Sequence, residues 1–132
     1  MPQVSLLATF AGAVAGFILG GLWYGPLFGK AWMAENGFKA EELGKDFNPA
    51  KVYGTMFVLS LLAAYVFGMF LGPDVTPAFG AGAGAAAGIF WIAGSIATNY
   101  LFERKSMRLW LINGGYHTLR FVLIGLAFGL LG

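Results

Sequence analysis

Four stretches of this 132-residue chain are apolar over about 20 residues each, the length a helix needs to cross a hydrocarbon core of about 30 Å. They run roughly from Val4 to Tyr24, Val52 to Leu71, Ala78 to Phe102 and Leu109 to Leu131. The expected fold is therefore all-α, a four-helix transmembrane bundle in which residues 1–132 form a single integral membrane domain. Charge makes up 11% of the chain, against roughly 25% in soluble domains, and 58% is apolar, which places the chain in the membrane class. The first stretch follows Met1-Pro2-Gln3, which has no basic side chain, and it is longer than a signal-peptide core. It reads as a retained helix.

Charge placement sets the expected orientation. Four crossings put residues 25–51 and 103–108 on one side, with the termini and the turn at residues 72–77 on the other. Lys30, Lys39, Lys45, Lys51, Arg104, Lys105 and Arg108 fall on the first side, and no Lys or Arg falls on the second. By the positive-inside rule those loops are cytoplasmic and both termini face outward, as expected for a bacterial inner membrane. Tyr24, Phe28, Trp32 and Trp110 would form the aromatic belt on that side. Within the long first loop, Pro26 is placed to open a short interfacial helix and Gly37 to close it, with Leu27, Phe28, Ala31 and Trp32 on its apolar side. Lys39 to Gly44 suggests a further turn, and Asn48-Pro49 a cap and first residue for the second span.

Gly12, Gly16 and Gly20 recur every four residues in the first span, and Gly80, Gly84 and Gly88 do so in the third. Gly68 and Gly72 in the second span, and Gly125 and Gly129 in the fourth, add further small positions. Lipid offers no hydrophobic drive for helices to associate, so such stripes serve by letting backbones approach. Stripes of this kind on four short helices also point to a homo-oligomer in the bilayer.

Arg120 lies near the middle of the fourth span, roughly 16 Å from its basic end at 1.5 Å per residue. A guanidinium at that depth costs about 2.5 to 3.5 kcal/mol on insertion scales, so the protein or a ligand must offset it. Asn113, His117 and Arg120 fall on one helical stripe with Tyr116 beside them, and Trp91, Ser95, Thr98 and Asn99 cluster on one side of the third span. Ser95, the face of Trp91 and backbone carbonyls near the glycines are candidate partners for the guanidinium, as are water and a bound anion. The candidate ligand-binding set is Arg120, His117, Tyr116, Asn113, Ser95, Asn99 and Trp91.

Other chemistry finds little footing. Cysteine is absent and His117 is the only histidine, so neither a thiolate nor a histidine cluster exists to hold a metal. No nucleophile, base and orienting acid, nucleotide loop or cofactor motif is recognisable, so no catalytic residue and no cofactor is expected. A formal charge of +2 at a pI near 9.0, with the basic residues flanking apolar spans, describes membrane topology and leaves no nucleic-acid surface.

The segments from Leu22 to Trp32 (LWYGPLFGKAW), Asn99 to Glu103 (NYLFE) and Leu111 to Tyr116 (LINGGY) together resemble a widespread microbial family of small four-span membrane proteins catalogued as a domain of unknown function. The resemblance implies topology and class and carries no activity to these residues. Small multidrug exporters, by contrast, use an intramembrane glutamate that this chain lacks, and dual-topology fluoride channels need a weaker charge bias than seven against zero. The expected function is a small channel- or transporter-like protein with a polar cavity for an anion or small polar solute around Arg120. The alternative is a non-transporting oligomeric module that binds a lipid headgroup or a partner chain, with Arg120 suited to a phosphate.

Overall fold

The computed structural model describes residues 4–39 and 48–132, and four of its helices are long and apolar enough to cross a membrane. They are α1 (Leu6–Leu27), α3 (Pro49–Leu71), α4 (Pro77–Glu103) and α5 (Met107–Leu131), with the short α2 (Gly29–Asn36) between the first two. The all-α bundle and the four spans stand as the sequence indicates. The turn suggested at Lys39 to Gly44 lies largely outside the described residues.

Each spanning helix starts on a side-chain cap. Ser5, Asn48, Thr76 and Ser106 accept from the backbone N–H groups of Ala8, Lys51, Phe79 and Leu109, at 3.0 to 3.1 Å. Such caps satisfy donors that would otherwise be orphaned and contribute about 1 kcal/mol apiece. Pro49 and Pro77 follow their caps at the first helical position, where a missing N–H costs nothing. Gly37 closes α2 in the left-handed region at φ 73°, as its placement suggests. Pro26 does not open α2, however. It sits inside a π-helical turn over Trp23–Leu27 that prolongs α1, where the wider ladder accommodates a residue without an N–H.

A second π-helical stretch, Ala87–Ala93, interrupts α4. Its i→i+5 pattern makes room for an extra residue in the helix, so faces extrapolated at 100° per residue from one side do not carry through to the other.

α5 is the hub. It runs antiparallel to α1 and α4 and packs along both, while α3 lies along α1 and touches α5 more lightly. Phe10 and Phe17 of α1 hold α3 through edge-to-face contacts with Phe57 and Tyr53, centroids 5.8 to 6.1 Å apart. The apolar core is built from Ala8, Ala64, Phe67, Ala87, Phe121, Ile124 and Phe128, with Phe67 edge-on to Phe121 at 5.4 Å. It lies toward the chain termini. The opposite half of the bundle, nearer the basic loops, carries the polar groups.

Candidate functional site

Five side-chain hydrogen bonds join α1, α3, α4 and α5 in a file that descends from the basic side toward mid-membrane. At the shallow level, the Tyr24 hydroxyl donates to Asn113 Oδ1 at 2.7 Å and Asn113 Nδ2 donates to the Tyr100 hydroxyl at 2.6 Å, so one amide links three helices. Trp23 Nε1 donates to the Ile112 carbonyl at 2.8 Å from the π turn of α1. Further in, buried Tyr116 donates to the Gly16 carbonyl at 3.1 Å and packs edge-on against Tyr24, centroids 5.3 Å apart. At the deepest level Arg120 Nη1 donates to Ser60 Oγ at 3.3 Å.

The absence of a side chain at Gly16 makes room for Arg120. A Cβ at position 16 would come within 2.7 Å of Arg120 Cγ and 3.1 Å of its Cδ, so the aliphatic stem lies against the bare backbone of α1. The guanidinium carbon stands 4.8 Å from the centre of the Phe121 ring, within cation-π range. Two polar atoms here are enclosed without a hydrogen-bond partner among the described residues, Arg120 Nε and His117 Nδ1. Residues three apart on a helix are surface neighbours, which puts the two atoms on adjoining parts of one face. An arginine Nε–H can only donate, so it calls for an acceptor that the described protein does not supply.

The sequence-derived set divides in two. Arg120, His117, Tyr116 and Asn113 line one side of α5; Asn113, Tyr116 and Arg120 share the file described above, and the His117 ring lies 4.9 Å from that of Tyr116. Trp91, Ser95 and Asn99 do not join them. Trp91 is 65% exposed, Ser95 and Asn99 are exposed, and the Ser95 hydroxyl donates back to the Trp91 carbonyl of its own helix. Ser60 takes the place expected for Ser95, Phe121 the place expected for Trp91, and on α4 it is Tyr100, the residue after Asn99, that bonds Asn113. The physical reason is the π-helical stretch of α4. Gly84 before it and Gly88 at its start are buried against α5, and the extra residue it accommodates turns the predicted polar line away from the bundle.

Tyr24, Tyr100, Trp23 and Ser60 are the members that pattern reading did not assign to the site. The hydroxyls and indole carry the usable signal, since tyrosine and tryptophan in a bundle interior generally pair their polar ends. Trp110 Nε1 donates to the Ala93 carbonyl at 2.8 Å, where the π-helical stretch ends, and so ties α5 to α4. Among the described residues no group of three or more His, Cys, Asp or Glu is arranged to hold a metal ion.

A family model described as "Protein of unknown function (DUF1761)" matches residues 7–129 of the chain. No curated protein and no solved structure matches it.

Proposed function

We propose that this chain, which belongs to the DUF1761 family, is a small channel- or transporter-like membrane protein that takes an anion or small polar solute at Arg120. The observation that carries the reading is the pair of enclosed, unpartnered atoms, Arg120 Nε and His117 Nδ1, beside a guanidinium with no ion pair among the described residues. Glu103, at the outermost end of α4, is the one acidic residue in the four spans. A mid-membrane cation without a carboxylate at its own level favours an anion brought from outside the chain. One oxygen of such an anion would accept from Nε–H, and a hydroxyl on it would donate to a neutral His117 Nδ1. A small oxyanion that retains an acidic proton, such as hydrogen carbonate or dihydrogen phosphate, meets both needs. The Tyr24, Asn113, Tyr100 and Tyr116 groups would supply successive polar stations between the basic side and the guanidinium.

The test is uptake of radiolabelled hydrogen carbonate, phosphate and acetate into proteoliposomes. Wild-type vesicles should exceed empty vesicles for at least one probe, and Arg120→Gln should lose that excess while remaining helical. Gly21→Ala, where an added methyl meets nothing within 4 Å, should retain it. Uptake equal to empty vesicles for all three probes, or undiminished in Arg120→Gln, overturns the reading.

A further inference from the structure

The seam between α4 and α5, on a different face of α5 from Arg120, changes character along its length. Toward the termini the two backbones are in contact, with Gly80 against Gly125, Gly84 against the Phe121 carbonyl and Gly88 against Thr118. From the π-helical stretch onward, two open hollows follow one another along the same seam. The deeper, of about 370 Å³, is bordered by Trp23, Ala93, Gly114, Gly115 and Thr118. The shallower, of about 420 Å³, is bordered by Ala97, Tyr100, Leu101, Lys105 and Met107. Trp110 borders both, its indole bonded across the seam to the Ala93 carbonyl, so that a chain occupying the two hollows would pass over the indole.

We propose that this seam holds one acyl chain of an anionic phospholipid, with its phosphate at Lys105. Length is the first argument. From Lys105 to Thr118 the seam spans about 20 Å at 1.5 Å per residue, enough for the headgroup level plus the roughly 15 Å hydrocarbon half of one leaflet. Polarity is the second. The shallow end carries an ammonium, and the deep end is walled by glycines, alanine, indoles and a threonine whose hydroxyl is already donated to the Gly114 carbonyl at 2.8 Å. Charge is the third. Lys105 follows Arg104 and precedes Arg108 by three residues, and its side chain has no ion pair among the described residues. Ser106 also borders the shallow hollow, but its hydroxyl donates to Glu35 Oε1 at 2.5 Å, so the headgroup relies on Lys105 rather than on the serine. A second protein copy would need a side chain able to thread a narrow seam and an acid at its basic mouth, whereas a single phospholipid brings both a chain and a negative charge.

Native mass spectrometry of protein released from bilayers of equal phosphatidylglycerol and phosphatidylcholine tests the assignment. The wild type should retain one phosphatidylglycerol with about fivefold preference, the equivalent of about 1 kcal/mol for one basic side chain at the surface. Lys105→Gln should bring the two lipids near parity, and Ala97→Phe, which fills the shallow hollow, should lose the adduct with helicity retained. Equal retention by the wild type, an undiminished preference in Lys105→Gln, or a bound protein copy in place of lipid overturns it. Lys105 is exposed, so its variant decides the question even if Ala97→Phe fails to fold.

Discussion

Gly12, Gly16 and Gly20 on α1 and Gly80, Gly84 and Gly88 on α4 share a four-residue spacing and face the same helix, yet α5 meets the two stripes differently. Against α1 it presents mainly side chains, and methyls added at positions 12, 16 and 20 would crowd Ile124 (its Cα as well as its side chain), Arg120 and Tyr116. Against α4 it presents backbone, with the carbonyls of Gly125 and Phe121 where methyls at 80 and 84 would go. One stripe clears a cradle for large and polar groups. The other removes everything between two main chains, as small-residue interfaces do where lipid cannot drive association. A stripe of glycines in a membrane helix thus identifies a packing face without saying whether that face closes a gap or holds one open.

The largest effect should come from the backbone contact. In Gly84→Val the added carbons would overlap the Phe121 carbonyl and Val122 nitrogen, which cannot swing aside as a side chain can. Overpacking typically costs about 1 to 3 kcal/mol where side chains adjust, and a clash against main chain should exceed that range. The expected outcome is a chain that fails to give a monodisperse, helical species in detergent, checked by size exclusion and circular dichroism. Recovery of a wild-type melting profile would show that α4 and α5 do not meet backbone to backbone.

Gly16→Ala should cost less, about 1 to 2 kcal/mol, because the Arg120 stem can move. The sharper reading is a double-mutant cycle. In an Arg120→Ala background the atoms that crowd position 16 are gone, so the penalty of Gly16→Ala should largely disappear, whereas that of Gly84→Ala should persist in the same background. Additive penalties at position 16 would mean that the glycine does not cradle the arginine. Thermal unfolding in one detergent, with all variants compared at the same concentration, supplies the four corners of each cycle.

Trp23→Phe and Trp110→Phe probe the contacts of α5 with α1 and with α4, one bond each. Both indoles donate to a carbonyl of a neighbouring helix at 2.8 Å, Trp23 to Ile112 and Trp110 to Ala93. Each loss should cost about 1 kcal/mol. Trp110→Phe should in addition widen the groove past the π-helical stretch, read as faster hydrogen exchange in residues 94–103 relative to residues 77–86. Equal protection of the two halves of α4 would argue against a seam that opens partway along.

Much of this arrangement was legible from sequence, and the failures have one origin. Apolar length located the spans, Asn48-Pro49 and Gly37 marked helix ends, and the depth of Arg120 singled out a stripe whose four α5 members do lie together. What went astray was the inner half of α4. Periodicity carried Trp91, Ser95 and Asn99 onward from Gly84 and Gly88 as though the helix kept one phase, and no residue in Ala87–Ala93 announces that it does not. The partners that replaced them are Ser60 on α3 and Tyr100, the residue after Asn99 on α4.

Gly82→Ala carries the smallest expected effect and separates position from composition. Gly82 lies within the same Gly-Ala run as Gly80 and Gly84, two residues from each, so at 100° per residue it points well away from the face they share. An added methyl there meets nothing within 4 Å, and replacing a helical glycine by alanine at an unstrained site should be neutral or stabilise by about 0.5 to 1 kcal/mol. A raised melting temperature for Gly82→Ala beside a lowered one for Gly84→Ala would fix the α5-facing stripe to single-residue resolution. A lowered midpoint for both would mean that the Gly82 face is itself covered, and a concentration dependence of that loss would identify the cover as another copy of the chain, adding a third use of glycine to the two that α1 and α4 display.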